Sequence, residues 1–301
     1  MIRLARPGQW VKGAFVLVGP LYGGALSNRA QAAAAGLAFL AFGLASSACY
    51  IFNDLRDVEA DRLHPRKKNR PIASGRVKPG VAMALAFACA VAAAATVAAV
   101  GLTGESTARA ASLWLGTAVG VYAINVLLYS ILTKNIIILD VIALALGFVL
   151  RVLGGCAAVA VEPSSWLLNV TFFIAMFLAF GKRLGERRVM GEAAVSQVRD
   201  VQTKYTEDLL RMMVVVTGVA TLLTYAGYVL AQSARYTHGF NLLWLTMLPA
   251  TYALLRCIVL LEKGTFDDPT ELATKDRAFQ AAALVFVLLT VGLMVRYPAG
   301  V

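Results

Sequence analysis

The sequence predicts an all-α integral membrane protein with about nine transmembrane helices, and three observations support this. The chain has 301 residues, of which 59% are hydrophobic, and its mean hydropathy is +0.71. Only 15% of the residues are charged, whereas about 25% is usual for a soluble domain. Apolar segments recur along the chain, each near the roughly 20 residues that a helix needs to cross a bilayer.

These apolar segments follow one another without a competing β-pattern. Because irregular backbone cannot face lipid, each of them is expected to be helical. The nine segments cover residues 10–27, 31–53, 81–102, 110–132, 137–158, 166–182, 209–231, 241–261 and 277–296. We therefore expect one polytopic membrane domain over 1–301, in which the inside loops 54–80 and 183–208 cap an active site.

The distribution of basic residues predicts the orientation in the membrane. The chain has 28 Lys and Arg against 17 Asp and Glu, a formal net charge of +11. With the N-terminus inside, 23 of the 28 basic residues lie on the inner side, four lie outside, and Arg151 lies within a span. Cytoplasmic loops retain positive charge. The sequence thus predicts a plasma-membrane protein with its N-terminus in the cytoplasm and its C-terminus outside.

Several classes of function are disfavoured by composition. The basic residues lie between spans and not on a soluble module, which argues against a nucleic-acid partner. The four cysteines, Cys49, Cys89, Cys156 and Cys257, are far apart in apolar stretches and form no C-x-x-C pair. They are typical of small buried hydrophobic residues. With only two histidines in the chain, a histidine-based metal site is not expected.

An acidic motif follows the second apolar segment. If the helix continues past the membrane, Asp54, Asp57 and Asp61 recur at i, i+3 and i+7 and share one face, with Asn53 one turn before Asp57 and Glu59 pointing away. Clustered carboxylates are suited to Mg²⁺, which bridges them to substrate phosphates. We expect these three aspartates to be metal ligands, for Mg²⁺ or alternatively Mn²⁺. Asp57, Asn53 and Asp54 are the candidate catalytic residues. The alternative is a solvated helix end neutralised by neighbouring cations.

A basic segment comes directly after the aspartates. Arg66, Lys67 and Arg70 are candidates for binding a phosphate or diphosphate, which arginine can bind in a bidentate manner. Pro71 and Gly75 predict a turn that ends the helix. Ordinary positive-inside charge is the alternative interpretation of this segment.

Further candidate substrate-binding residues lie at the inner ends of later helices. They are Lys134, Lys182, Arg183 and Glu186, for which snorkelling at the membrane interface is the alternative. Asp140 and Arg151 fall within a span, where an unpaired charge is costly. Each marks either a functional site or a structural ion pair.

The segment SSACYIFNDLRDVEADRLHPRKKNRPIASGR, residues 46–76, resembles the first aspartate motif of the UbiA-type intramembrane prenyltransferase superfamily. The opening RPGQWVKG and the stretches 129–155 and 165–186 resemble one branch of it, as 267–277 does weakly. Members of that branch transfer a 5-phosphoribosyl group from phosphoribosyl diphosphate to a polyprenyl phosphate. The resemblance implies a UbiA-like bundle with a cytoplasmic-side active site, and it makes Lys12 a substrate-binding candidate. Gly13 departs from the branch, which has Asn there.

The second inside loop distinguishes this branch from others. Aromatic prenyltransferases of the superfamily usually carry Asp-x-x-x-Asp-x-x-x-Asp there, whereas this chain has Asp200, Lys204 and Asp208 in that register. A cation in place of a metal ligand suits a substrate with an additional phosphate, and the 5-phosphate of phosphoribosyl diphosphate is such a group. Tyr205 is expected to pack on the ribose. An ordinary surface lysine is the alternative for Lys204.

The reaction implied by the resemblance is attack of a polyprenyl phosphate on C1 of phosphoribosyl diphosphate, with release of diphosphate, for synthesis of a cell-wall arabinan precursor. The implied partners are these two substrates and membrane lipids, and an oligomer is compatible with the sequence. An aromatic prenyltransferase is the nearest rival, disfavoured by Lys204. A secondary transporter is a lower-ranked rival, because transporters place charges near the bilayer midplane and this acidic motif lies at the inner edge.

Overall fold

A computed structural model describes residues 2–63, 67–103, 107–190, 204–264 and 275–297, and it is helical almost throughout. The α-helices in chain order are α1 (Ile2–Ala5), α2 (Ala14–Tyr22), α3 (Arg29–Arg56), α4 (Val58–Leu63), α5 (Pro79–Val100), α6 (Ala108–Ile131), α7 (Leu139–Ala158), α8 (Ser165–Met190), α9 (Glu207–Ala231), α10 (Ser233–Tyr236), α11 (Met247–Glu262) and α12 (Arg277–Arg296). Short 3-10 helices cover Pro7–Gly13, Ala25–Ser27, Lys67–Asn69, Thr133–Asn135 and Leu242–Thr246. A two-stranded antiparallel ladder joins β1 (Thr237–His238) to β2 (Phe240–Asn241).

Eight helices in the described residues are long and apolar enough to cross a membrane. They correspond to the second to ninth predicted segments, so the helical membrane architecture is confirmed. The sixth segment was predicted to end at residue 182, but α8 continues to Met190. Arg183 and Glu186, which fall within the predicted inside loop 183–208, therefore lie on this helix.

The first predicted segment, 10–27, is not a single α-helix. The 3-10 helix Pro7–Gly13 runs directly into α2, which has only nine residues. Neither piece has the roughly 20 residues that a membrane-spanning helix needs, and this segment is not among the eight candidate spans of the described residues. Pro20 lies inside α2, and Gly24 follows with a left-handed φ of 72°, so the helix ends within two residues of Tyr22.

The described residues divide into two compact units. Unit 1 comprises residues 1–131 and 147–163, and its core is formed by small and aromatic side chains from α2, α3, α6 and the second half of α7. Glycines allow α2 to approach α7 closely: a Cβ on Gly155 would lie 1.8 Å from the carbonyl oxygen of Val16. A second, smaller cluster in unit 1 contains Leu4, Ile51, Ile72, Ala82 and Ala86.

Unit 2 comprises residues 132–146 and 164–301. Its core contains Val141, Phe177, Phe180, Leu184, Tyr205, Leu210, Val214, Leu254, Cys257, Leu260 and Leu261. α8 packs along α9, and α11 packs against α12. The four cysteines of the chain are all buried and free, which agrees with the prediction that they are small core residues.

Candidate active site

The acidic motif of unit 1 forms a buried ion-pair cluster. Asp54 and Asp61 are 2% and 3% exposed. Nη1 of Arg70 donates to Oδ1 of Asp54 at 3.0 Å and to Oδ2 of Asp61 at 2.6 Å. The two carboxylates thus converge on one guanidinium nitrogen of Arg70. The predicted binding of phosphate by Arg70 stays a prediction.

Arg6 is the second cation of this cluster. Its Nη2 lies 2.6 Å from Oδ1 and 2.7 Å from Oδ2 of Asp54. Sequence reasoning missed Arg6 as a site residue, because 48 residues separate it from Asp54. The available signal was its place in the opening RPGQWVKG, beside the candidate Lys12.

The smaller core cluster of unit 1 positions both arginines. Leu4 lies two residues before Arg6, Ile72 lies two residues after Arg70, and both pack with Ile51 of α3. Ile51 precedes Asp54 by three residues and therefore lies on the same face of the helix. The predicted turn supports the arrangement, since the N–H of Ser74 donates to the carbonyl of Arg70 at 2.9 Å. Burial of Leu4, Ile51 and Ile72 thus brings two guanidinium groups, those of Arg6 and Arg70, to the carboxylate of Asp54.

The single stripe of three aspartates is only partly realised. α3 ends at Arg56, Asp57 follows as its C-cap, and α4 begins at Val58. Asp54 and Asp61 meet at Arg70, whereas Asp57 is half-buried beside the break, and Asn53 is half-buried one turn earlier. Glu59 points away as predicted: it is exposed and pairs with Arg62 at 2.9 Å.

The cluster fits a divalent cation in part. No group of three or more His, Cys, Asp or Glu side chains suited to a metal occurs among the described residues, so the predicted three-aspartate site is not assembled. Asp54 and Asp61 do present oxygens to the single Nη1 of Arg70, which stands where a bridging cation would lie. A carboxylate pair is a donor set that Mg²⁺ accepts when substrate phosphates complete its shell.

The structure describes only one of the three other basic side chains predicted to bind substrate in this region. Lys12 is exposed at the end of the 3-10 helix Pro7–Gly13. Arg66 lies outside the described residues, as does the side chain of Lys67. Their prediction as phosphate-binding residues stays a prediction.

Unit 2 holds a second buried cluster around Asp140, which is 0% exposed. Nη2 of Arg183 donates to Oδ2 of Asp140 at 2.5 Å, and the hydroxyl of Tyr205 donates to Oδ1 at 2.9 Å. The Tyr205 oxygen in turn accepts from the N–H of Ile138 at 2.7 Å. Ile138 has a φ of 68°, a strained value for a β-branched residue, so this hydrogen bond stabilises the turn that leads into α7.

These contacts correct the predicted roles of Tyr205 and Arg183. The Tyr205 ring is 1% exposed, packs edge-on against Phe180 and lies under the Arg183 guanidinium, so it has no free face for a ribose. Burial, followed by the nearby Asp140 carboxylate, raises the pKa of Tyr205 to about 12. Arg183 is a buried structural partner of Asp140 in place of a substrate contact.

The remaining candidates of unit 2 lie nearer the surface. Lys182 is exposed and Glu186 is half-buried on α8, and Lys134 is half-buried in the 3-10 helix Thr133–Asn135. Their binding roles remain predictions.

The second motif does not keep its helical register. Asp200 lies outside the described residues, Lys204 is an exposed residue of a non-helical segment, and α9 begins only at Glu207. The hydroxyl of Thr206 accepts from the N–H of Leu209 and so caps α9. Asp208 is 91% exposed beside Arg211. The expected single stripe through Lys204 and Asp208 is therefore wrong.

Arg151 is held by neutral groups among the described residues of unit 1. Its guanidinium donates to the carbonyl of Gly147 and to the hydroxyls of Tyr122 and Ser46, and it lies over the rings of Tyr122 and Phe148. The structural ion pair considered from the sequence is thus replaced by hydrogen bonds and cation–π contacts.

The fold is that of an integral membrane protein. The cluster of Asp54, Asp61, Arg6 and Arg70 gives it a polar, ion-paired site where the membrane helix α3 ends. A family model, that of the UbiA prenyltransferase family, matches residues 14–281. The chain belongs to the UbiA prenyltransferase family.

Relatives similar over nearly the whole chain are decaprenyl-phosphate phosphoribosyltransferases. That of Corynebacterium glutamicum is 34% identical over 97% of this chain and 85% of its own length. That of Mycolicibacterium smegmatis is 33% identical over 95% and 90%, and that of Mycobacterium tuberculosis is 30% identical over 99% and 94%. The resemblance stated from the motifs is confirmed.

Solved structures share the fold at low sequence identity. A UbiA homolog from Archaeoglobus fulgidus bound to GPP and Mg²⁺ superposes with a TM-score of 0.71, at 17% identity and 99% coverage of both chains. A UbiA homolog from Aeropyrum pernix superposes with a TM-score of 0.58 at 16% identity, covering 94% of this chain and 97% of its own.

Proposed function

We propose that this protein transfers the 5-phosphoribosyl group of phosphoribosyl diphosphate to a polyprenyl phosphate, in the manner of a decaprenyl-phosphate phosphoribosyltransferase. The observation that carries the proposal is identity of 30–34% with enzymes of that name over most of both chains. The cluster of Asp54, Asp61, Arg6 and Arg70 supports it, because a diphosphate leaving group requires positive charge and a metal-binding carboxylate pair. We further propose that the product is a precursor for cell-wall arabinan synthesis, as the family resemblance of the sequence motifs implies.

In the proposed reaction a phosphate oxygen of the lipid forms a bond to C1 of the ribose, and the bond from C1 to the diphosphate oxygen breaks. The lipid phosphate is already an anion, so the nucleophile needs no strong general base. Arg70 binds the departing diphosphate through its guanidinium. The positive charge that develops at C1 is stabilised by a nearby carboxylate, as in glycosyl transfer, and we assign this role to Asp57.

The carboxylate pair of Asp54 and Asp61 in the same cluster fits a divalent metal ion in part. Structures of the A. fulgidus UbiA homolog were solved with Mg²⁺ or with Cd²⁺ bound. We propose that Asp54 and Asp61, with Asp57, hold Mg²⁺ together with the donor, and that Mn²⁺ can replace it. When bound, the ion neutralises charge on the leaving diphosphate. Asn53, one turn before Asp57, orients a ligand or the ribose.

The proposed site faces the cytoplasm, where phosphoribosyl diphosphate is available. The distribution of basic residues supports this orientation, with the N-terminus inside and the C-terminus outside.

Membranes containing the protein, incubated with radiolabelled phosphoribosyl diphosphate and a polyprenyl phosphate, should form a labelled lipid. Asp57→Ala should abolish the product while the protein remains folded in the membrane. Glu59→Ala is the matched control and should have a mild effect, because Glu59 is 80% exposed and points away from the cluster. Equal damage from both substitutions would contradict the assignment of Asp57.

The rival activity is prenyl transfer to an aromatic acceptor, which the family name and the prenyl diphosphates bound to the A. fulgidus homolog favour. A parallel assay with a polyprenyl diphosphate and 4-hydroxybenzoate tests it. Formation of a prenylated aromatic product, without labelled lipid from the phosphoribosyl donor, would replace our proposal with this rival.

A further inference from the structure

Arg6 occupies the position on Asp54 that a chelated metal ion would take. A single nitrogen, Nη2, lies within 2.7 Å of both carboxylate oxygens. The Asp54 side chain is only 2% exposed, so its oxygens are not open to a second cation from solvent. A metal ion can contact both oxygens of Asp54 only after Arg6 has moved.

The cluster is electrically balanced without a metal ion. Asp54 and Asp61 carry two negative charges, and Arg6 and Arg70 carry two positive charges that pair with them. A divalent cation arriving alone would place like charges within a few ångströms of both guanidiniums, and Coulomb repulsion opposes this. A diphosphate arriving with the cation supplies the missing negative charge, and an arginine can bind it in a bidentate manner.

The backbone of the N-terminal segment aims Arg6 at Asp54 independently of the ion pair. Arg6 has φ 49° and ψ 56°, a left-handed conformation that costs free energy for a residue with a Cβ. Neighbouring contacts hold it there: the hydroxyl of Ser47 donates to the carbonyl of Ala5 at 2.7 Å, and the indole N–H of Trp10 donates to Ser47 at 3.1 Å. The chain on both sides of Arg6 is therefore held against α3 by contacts that do not involve the Arg6 side chain.

We infer that Arg6 is a positioning residue that excludes the metal ion from Asp54 in the free protein and moves onto the diphosphate of the donor when donor and metal arrive together. This inference rests on the proposed function, because it concerns the same donor site. Its consequence is that metal and diphosphate bind interdependently.

The test uses the full-length protein in lipid nanodiscs, with Mn²⁺ and pyrophosphate as probes. Equilibrium dialysis measures the binding of Mn²⁺ alone, and retention of ³²P-pyrophosphate measures diphosphate binding at saturating Mn²⁺. Arg6→Gln should bind Mn²⁺ alone about tenfold to a hundredfold more tightly than wild type, and pyrophosphate more weakly by a similar factor, as expected for one charge-assisted contact. Arg62→Gln removes a positive charge from an exposed pair on α4 and should match wild type in both measurements.

Two further measurements keep the test decisive if Arg6→Gln is poorly folded. Arg6→Lys retains the charge with a single ammonium group, and we expect intermediate values in both assays. Wild-type protein should retain pyrophosphate with Mn²⁺, yet bind Mn²⁺ alone at least about tenfold more weakly than folded Arg6→Gln, and more weakly than folded Arg6→Lys by a smaller factor. Unchanged binding of Mn²⁺ alone, or unchanged pyrophosphate binding, in a folded Arg6 variant would overturn the inference.

The outcome is separable from that of the proposed function. Failure here leaves the transfer reaction standing, because a labelled lipid product tests that reaction. If no labelled lipid forms, the Mn²⁺ and pyrophosphate binding measurements can still be interpreted, since pyrophosphate is a product of either candidate reaction.

Discussion

Two buried aspartates of this protein are neutralised in different ways. The partners of Asp54 are side chains that remain 28% and 26% exposed, Arg6 and Arg70. The partners of Asp140 are Arg183 and Tyr205, both almost fully buried. A partly exposed guanidinium can leave its carboxylate for a ligand, whereas a buried one cannot do so without leaving a charge unpaired. The first cluster is thus suited to binding, and the second to holding the structure.

Tyr205→Phe should destabilise the protein by about 1–3 kcal/mol, because it removes one hydrogen-bond donor from the buried Asp140 and leaves the N–H of Ile138 without its acceptor. Thermal unfolding of the detergent-solubilised protein measures the effect. Tyr252→Phe is the control, since Tyr252 is 50% exposed and should change the Tm little. Equal Tm values for wild type and Tyr205→Phe would show that the hydroxyl is not holding the turn at Ile138.

The same tyrosine predicts a pH dependence at the alkaline end. Its pKa is about 12 in the fold, above the ordinary value of about 10, so folding favours the neutral phenol. The stability that this provides is complete below about pH 10 and is lost as the pH rises from there towards 12. The Tm of Tyr205→Phe should therefore decline less steeply than that of wild type over this range.

Lys204 is the residue that favours phosphoribosyl diphosphate over a prenyl diphosphate as the predicted donor. If it binds the 5-phosphate, Lys204→Ala should raise KM for phosphoribosyl diphosphate roughly tenfold to a hundredfold, the effect of losing a charge-assisted contact, with a smaller change in kcat. Lys263→Ala, an exposed lysine that follows α11, is the control for loss of one positive charge. An unchanged KM would make Lys204 an ordinary surface lysine.

At the scale of elements, the close packing of α2 on α7 depends on glycine. Gly155→Ala should destabilise the protein by about 1–3 kcal/mol, a usual cost of overpacking, because its Cβ would meet backbone atoms of Val16 that no rotamer change can relieve. Gly147→Ala on the same helix is the matched control, since its Cβ would meet nothing closer than 3.7 Å. Similar Tm values for the two variants would contradict this account of the packing.

Membrane helices were predictable from sequence and their interruptions were not. Eight long apolar runs become eight long helices because lipid leaves the backbone no other way to satisfy its hydrogen bonds. The divided first segment and the break at Asp57 depend on tertiary contacts, such as those of Leu4 and Ile72 with Ile51. Periodicity alone placed three aspartates on one face, and only two of them meet.

Contacts between candidate site residues were predictable where the residues lie close together in the sequence. Asp54 of the acidic motif and Arg70 are 16 residues apart, and both were predicted from the same segment of the sequence. Arg6 and the pairing of Asp140 with Tyr205 bridge 48 and 65 residues, and no local pattern encodes such contacts. Tyr205 and Arg183 were predicted to bind substrate, and the structure places both side chains on Asp140.

At the scale of the whole molecule, the basic residues predict which ends lie in the cytoplasm. On a cysteine-free background, a cysteine at Ser74 should resist an impermeant thiol reagent in intact cells, and a cysteine at Gly300 should react. Permeabilised cells provide the control, in which the cysteine at Ser74 becomes reactive. The reverse pattern would move the acidic cluster to the outer face.

The packing of Trp10 provides the N-terminal segment with an optical reporter. Its ring covers Gly43, where a Cβ would lie 2.8 Å from an indole carbon, and its N–H is bonded to Ser47. The chain has only four tryptophans, so a variant retaining Trp10 alone is within reach of mutagenesis. Its emission maximum would then follow, in real time and without a radiolabel, whether the segment that carries Arg6 stays against α3 as the substrates bind.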